Sequence, residues 1–186
     1  AIRFDAAKYP YYGEHEKNAG FWNWYMDELK KINPHIYTVA EVWDGDAVVE
    51  QYLTAFNCFH FSSAMAEGII AETARGADVN RFTRSVQNYL ASIHAVNPES
   101  MDIPFIANHD TDRAAGYLTV ASGCMQMAAN LYLLSPGYPF IYYGEEIGLR
   151  GSRGGANTDA NRRLAMYWGD GDTVQDPEGS NYDKIA

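Results

Sequence analysis

The sequence predicts an α/β fold of parallel strands joined by crossover helices, most simply part of a (β/α)8 barrel. Two observations lead there. Apolar or β-branched runs alternate with segments of helical periodicity, giving five strands separated by four helical units of near-equal length. Four of those strands end on acids, Asp5, Glu41 and Asp110 among them, and in parallel barrels catalytic groups sit at the C-terminal ends of strands. An open, doubly wound sheet is the structural alternative. Its nucleotide-binding version is weakened because no G-x-G-x-x-G or G-x-x-x-x-G-K-[ST] loop follows any strand.

Ala1 to Phe4 reads as a buried strand ending on Asp5, followed by a Tyr-, Pro- and Gly-rich loop from Lys8 to Gly20. Phe21, Trp24, Tyr25, Leu29 and Ile32 fall at three- and four-residue steps and predict a helix that Asn33-Pro34 stops. Ile36 to Ala40 is the second strand and Glu41 its end. Ala47 to Ala55 reads as a short helix, Asn57 to Phe61 as a strand, and Ser62 to Ala77 as loop with helical turns. Phe82, Val86, Tyr89, Leu90 and Ile93 predict a helix over Val79 to Val96. Ile103 to Ala107 is the next strand, with Pro104 near its start, where a missing donor costs least. Arg113 to Leu134 reads as one long buried helix, and Tyr138 to Tyr143 as a strand ending on Glu145 and Glu146. From 147 to 186 the chain is a long loop and tail.

At 186 residues the chain suffices for one sizeable core, read as a single partial domain over 1–186. Hydrophobic content of 47% with 20% charged residues is globular, and a net charge of −10 argues against nucleic acid or an anionic membrane as the main partner. Fourteen tyrosines serve either a core or a cleft lined with flat amphipathic rings. Cys58 and Cys124, far apart in apolar contexts, read as buried thiols rather than a disulfide. No apolar run reaches the ~20 residues of a membrane span. The start lacks both an initiator Met and a leader, so the chain reads as cut from something longer.

Arg3 and Asp5 lie two apart on a strand and so share a face, where the guanidinium would hold the carboxylate ionised. Successive strand ends of a barrel ring one mouth, so Asp5, Glu41 and Asp110 are expected to converge. Glycoside hydrolysis wants such a set: one ionised carboxylate, one protonated carboxyl about 5 Å away, and a third acid to tune them. His109 would donate to sugar hydroxyls. Taken singly, each acid is equally a helix cap or a solvated charge, and clustered carboxylates also hold Ca²⁺ or Mg²⁺.

Arg3-Phe4-Asp5-Ala6-Ala7-Lys8, Glu41-Val42-Trp43-Asp44 and Phe105-Ile106-Ala107-Asn108-His109-Asp110 resemble three signature segments of the α-amylase family of glycoside hydrolases, in the family's order. Tyr142 to Gly148 resembles the segment at its eighth barrel strand, and Asp159 through Arg163 to Trp168 the stretch beyond. The resemblance implies a retaining, endo-acting α-1,4-glucan hydrolase for starch or maltooligosaccharides, outside the cell or at its surface. It implies Asp5 as nucleophile, Glu41 as general acid/base and Asp110 as transition-state stabiliser. Arg3 would orient Asp5, and His109 would bind the same sugar. Lys8, Tyr9 and Trp43 would line the leaving-group side, and Asp159 and Arg163 would contact sugars on the other. A transglycosylase, a cyclodextrin, pullulan or α-1,6-glucan hydrolase, and an inactive glucan-binding domain are the alternatives.

The chain departs from the family's pattern at three points. Tyr9 stands where a His is usual; in many members that residue's carbonyl binds a structural Ca²⁺, while the chemistry itself needs no cofactor. The family's first signature segment is absent, as is the usual insertion domain. The chain is expected to run from barrel strand four to strand eight, lacking strands one to three. An isolated half barrel exposes strand edges and apolar interior, so 1–186 alone is expected to be inactive.

Overall fold

The computed structural model describes residues 1–118, 123–151, 159–166 and 168. It divides into two compact units: Ala1–Phe61 with Arg84–Ile103 and Pro136–Tyr138, and Ser62–Thr83 with Pro104–Ser135 and the residues from Pro139 onward.

The first unit is built on a parallel three-stranded sheet of β1 (Ile2–Phe4), β2 (Thr38–Ala40) and β3 (Asn57–Cys58), side by side in chain order. Arg3 pairs with Val39 and Phe4 with Ala40; Val39 pairs with Asn57. Beyond β3, Phe59 bridges Ile103 in parallel and the His60 N–H donates to the Ile103 carbonyl. The parallel order bears out the α/β prediction, and the strands are shorter than expected: β2 begins at Thr38, and a 3-10 turn over Phe61–Ser63 follows β3. Ile103 contributes a bridge rather than a strand through Ala107, and Tyr138–Tyr143 is no strand. Tyr138 N–H donates to the Asp102 carbonyl and Phe140 N–H to the Pro104 carbonyl. Pro104 lacks the N–H that a regular parallel ladder would direct between these two bonds, at the Tyr138 carbonyl.

Helix α1 (His15–Ile32) packs on one face of this sheet. It starts six residues before the predicted Phe21, because its first turns are polar and show no apolar period. Asn18 and Ala19 are nonetheless buried there. Phe4 meets Trp22 at 4.9 Å and Phe56 at 5.6 Å between ring centroids, and Tyr25 edge-on at 5.7 Å. Such pairs add roughly 0.5–1.5 kcal/mol each beyond area burial. Helix α2 (Asp46–Val49) continues into a 3-10 turn, Glu50–Tyr52, in place of the single helix expected over Ala47 to Ala55. Tyr52, Leu53 and Phe56 close this core.

Helix α3 (Ile69–Ala74) belongs to the second unit, and α4 (Val79–Val96) spans the bounds its periodicity predicts. The long helix expected over Arg113 to Leu134 is instead α5 (Ala114–Tyr117) and α6 (Cys124–Leu133). Leu118 is extended and Gly123 takes φ +74°, which interrupts the helical path. α3 packs against α6. Cys58 and Cys124 are both buried free thiols. Among the described residues no helix is long and apolar enough to cross a membrane. Most of the tail predicted over 147–186 lies outside the described residues.

Of the two acids that follow Tyr143, Glu146 is exposed and Glu145 is not. Glu145 is buried and lines a cavity of about 240 Å³ with Ile106, Met125, Tyr132, Leu133 and Ile141. Tyr132 Oη and the Tyr142 N–H donate to its Oε2, while Oε1 has no hydrogen-bond partner. Burial pushes its carboxyl from 4.5 up to about 8, against the opposing pull of those two donors and of Arg113, with Glu146 adding to the rise. Between pH 4.5 and 8 the folded protein therefore holds a proton that the unfolded chain has released. Stability is expected to fall as pH rises through that window, by a total on the order of a few kcal/mol. Urea midpoints measured from pH 5 to 8.5 check this, and Glu145→Gln is expected to flatten the fall and raise the midpoint at pH 8.

Candidate active site

The register of β1 and β2 sets Asp5 opposite Glu41, one residue beyond the paired ladder. Backbone bonds carry the pairing past the strand ends: Glu41 N–H donates to the Phe4 carbonyl and Ala7 N–H to the Glu41 carbonyl, each at 2.9 Å. Phe4 faces the aromatic core, so Arg3 and Asp5 face the other way. From that face Arg3 reaches both acids. Its Nη1 donates to Asp5 Oδ1 at 2.6 Å and its Nη2 to Glu41 Oε2 at 2.5 Å. The sequence placed Arg3 on Asp5 alone; the parallel register makes it a bridge. The Asp5 side chain is 72% exposed and that of Glu41 13%, so the two carboxylates meet solvent differently.

The chain turns sharply after Asp5. Ala6 has φ +46°, a left-handed backbone that costs a non-glycine residue on the order of 1 kcal/mol. The following loop is pinned from beneath. Trp22 Nε1 donates to the Ala7 carbonyl at 2.7 Å. The fully buried Asn18 side chain donates to the Lys8 and Tyr11 carbonyls and accepts from the Tyr11 N–H. Sequence reading missed Asn18, whose only signal is a small amide where an amphipathic helix wants an apolar residue. Lys8 Nζ donates to the Trp43 carbonyl at 2.6 Å and to Asp44 Oδ2 at 2.9 Å, which lowers the Asp44 carboxyl. Trp43 stacks on Phe61 at 4.6 Å with the rings 14° apart, and stays partly exposed. Tyr9 is half exposed.

In the second unit, Asn108 Oδ1 accepts the N–H groups of Asp110 and Thr111, and Thr111 Oγ1 accepts the Asn108 N–H. This turn holds Asp110 beside His109, whose Nε2 lies 3.0 Å from Asp110 Oδ2. Arg163 Nη2 donates to Asp110 Oδ1 at 2.8 Å and its Nε to the His109 carbonyl at 3.1 Å. Arg163, which the resemblance implies as a contact to outer sugars, thus has its guanidinium tied to Asp110. Asp159 lies 3.7 Å from Arg163 and pairs with the buried Arg162, which also donates to the Asp110 carbonyl. Arg162 was not anticipated, although the Arg162-Arg163 doublet three residues after Asp159 is visible in the sequence.

Among the described residues no three His, Cys, Asp or Glu side chains come together as metal ligands.

Asn18→Ala is expected to cost about 2–4 kcal/mol, since it removes three hydrogen bonds and leaves buried backbone groups unpaired. Urea denaturation checks this.

The model of the alpha-amylase catalytic domain matches residues 4–181. The chain is 32% identical over 157 residues to Alpha-amylase 3 of Dictyoglomus thermophilum, covering 82% of this chain and 30% of that protein. It is 26% identical over 162 residues to the 4-alpha-glucanotransferase of Thermotoga maritima, covering 85% of this chain and 33% of that one. The solved structure of Eubacterium rectale Amy13B superposes with a TM-score of 0.82 at 30% identity, covering 92% of this chain and 34% of the other. The chain thus spans about a third of the length of these relatives. The matched residues hold both groups of acids described above, and the chain belongs to the alpha-amylase catalytic-domain family, whose structures are (β/α)8 barrels.

Proposed function

We propose that the protein is a retaining, endo-acting α-1,4-glucan hydrolase that cleaves starch and maltooligosaccharides. The observation that carries this reading is the single Arg3 guanidinium spanning Asp5 and Glu41 at the ends of adjacent parallel strands. A shared guanidinium keeps the two carboxyl groups close together, which suits the roughly 5 Å separation of retaining enzymes better than the wider gap of inverting ones. In this reading the chain supplies barrel strands four to eight of one catalytic domain. Strands one to three and the insertion lie outside it, and Asp110 and His109 are assigned to the same reaction as Asp5 and Glu41. A polymeric substrate accords with a location outside the cell or at its surface.

Asp5, ionised by Arg3, attacks the anomeric carbon while the bond to the leaving oxygen breaks and Glu41 gives that oxygen a proton. Water then attacks the same carbon, Glu41 takes its proton, and Asp5 leaves. Two inversions retain the configuration. In this reading Glu41 enters the first step protonated, which makes it a poorer acceptor and leaves the Arg3 guanidinium to Asp5. Asp110, fixed by Arg163, is negative where the transition state becomes oxocarbenium-like. Lys8 and Trp43 hold the sugar on the leaving side.

Asp5→Asn, Glu41→Gln and Asp110→Asn, made in the full-length protein, are each expected to lower kcat on amylose by roughly 10³-fold or more. Proton NMR of fresh product is expected to show the α-anomer first; β-anomer first means inversion and ends the retaining reading. Arg3→Lys is expected to lower kcat/KM by about 10²-fold, because one ammonium cannot bridge two carboxylates in a plane. Similarity to a glucanotransferase favours transfer as the second reading. Products longer than the starting maltooligosaccharide would decide for it, and rapid cleavage of pullulan or cyclodextrin would shift the substrate.

A further inference from the structure

The row that holds Asp5 and Glu41 continues across β3. Phe4 pairs with Ala40 and Ala40 with Cys58, so Asp5, Glu41 and Phe59 each stand one residue past the ladder. The Phe59 N–H donates to the Ala40 carbonyl at 3.2 Å, the same bond that the Glu41 N–H makes to the Phe4 carbonyl. On its other side Phe59 bridges Ile103 in parallel. Phe4 packs against the aromatic core, and Ala40 and Cys58 lie in it. Side chains alternate along a strand, so Asp5, Glu41 and Phe59 line up on the opposite face: two acids, then a phenyl ring.

Arg3 reaches into this line. Its guanidinium carbon lies 5.6 Å from the centroid of the buried Phe59 ring, within cation–π reach. The same guanidinium donates to Asp5 and to Glu41. These contacts respond differently to the chemistry. Glu41 gives up and regains a proton in the proposed cycle, and Asp5 loses its charge when it bonds to the sugar. A protonated or esterified carboxyl is a poorer acceptor than a carboxylate. The ring exchanges no proton and forms no bond, so its negative face attracts the guanidinium at every stage.

We propose that Phe59 is a positioning residue for the hydrolysis: its ring holds the Arg3 guanidinium in place through the steps in which Asp5 and Glu41 are not both carboxylates. It acts through Arg3 and not on the sugar. This rests on the reading of Asp5 and Glu41 as glycosidic carboxylates.

The test uses full-length protein in which Phe59 is replaced by phenylalanines bearing one, two or three ring fluorines. These keep the shape and burial of the ring while weakening its negative face, so folding is preserved. On amylose, kcat is expected to fall stepwise along the series, to roughly 3- to 10-fold below the unsubstituted ring, with KM within about twofold, as loss of one cation–π contact requires. In an Arg3→Gln background no cation lies over the ring, and the same series is expected to leave the residual kcat unchanged. A kcat that is flat along the series in protein that hydrolyses amylose overturns the positioning role and leaves the site reading standing. A fall of equal size with and without the Arg3 cation makes the ring a packing element and also overturns it. Asp5→Asn and Glu41→Gln proteins that hydrolyse amylose at the wild-type rate overturn the site reading and the role of Phe59 with it.

Discussion

Two carboxylates set side by side at the ends of neighbouring strands repel each other, and one planar fork of donors between them removes most of that cost. Arg3 is that fork, with one terminal nitrogen on Asp5 and the other on Glu41. It reaches both only because β1 and β2 are parallel and in register, so that the acids fall opposite each other. The register depends in turn on Phe4, which fills the aromatic core from the opposite face of the same strand. Core packing therefore aims the chemistry: a slip of one residue would bury Arg3 and expose Phe4.

Guanidinium groups do comparable work in the second unit, under different surroundings. Arg162 and Arg163 tie the turn at Asn108–Asp110 to a segment more than fifty residues later. Arg113 is fully buried, donates to the Tyr143 carbonyl, and lies 4.4 and 4.6 Å from the ring centroids of Tyr142 and Tyr143. Its Nε and Nη2 have no hydrogen-bond partner, so the two rings carry much of the stabilisation of that charge. An extended side chain with a flat, permanently charged end suits such ties, because it spans loops that share no backbone ladder.

What could be read from the sequence followed from periodicity. The amphipathic stripe of α4 marked both of its ends, and the parallel order and two acid strand ends were visible as strand–helix alternation. What could not be read is what periodicity does not encode. The polar first turns of α1 are held by Asn18, a tertiary contact, and the split between α5 and α6 includes an extended Leu118 that no local signal marks. Pro104 removes the donor that would sit between the Tyr138 and Phe140 bonds, in a segment whose apolar run predicts a strand. The ion pair of Arg163 with Asp110 joins residues too far apart in sequence for any local pattern to show it.

Ala6 sits between the carboxylate pair and the tyrosine loop, in a backbone conformation that only small or specially suited residues accept. It is a stiff corner: Asp5 stays with the sheet on one side while the chain leaves on the other. Because Ala7 is fastened again at once to the Glu41 carbonyl, distortions of the rim are not passed back to the acids. Residues from Tyr9 to Tyr12 can therefore be exchanged in a lineage while the Arg3 bridge between Asp5 and Glu41 stays in place.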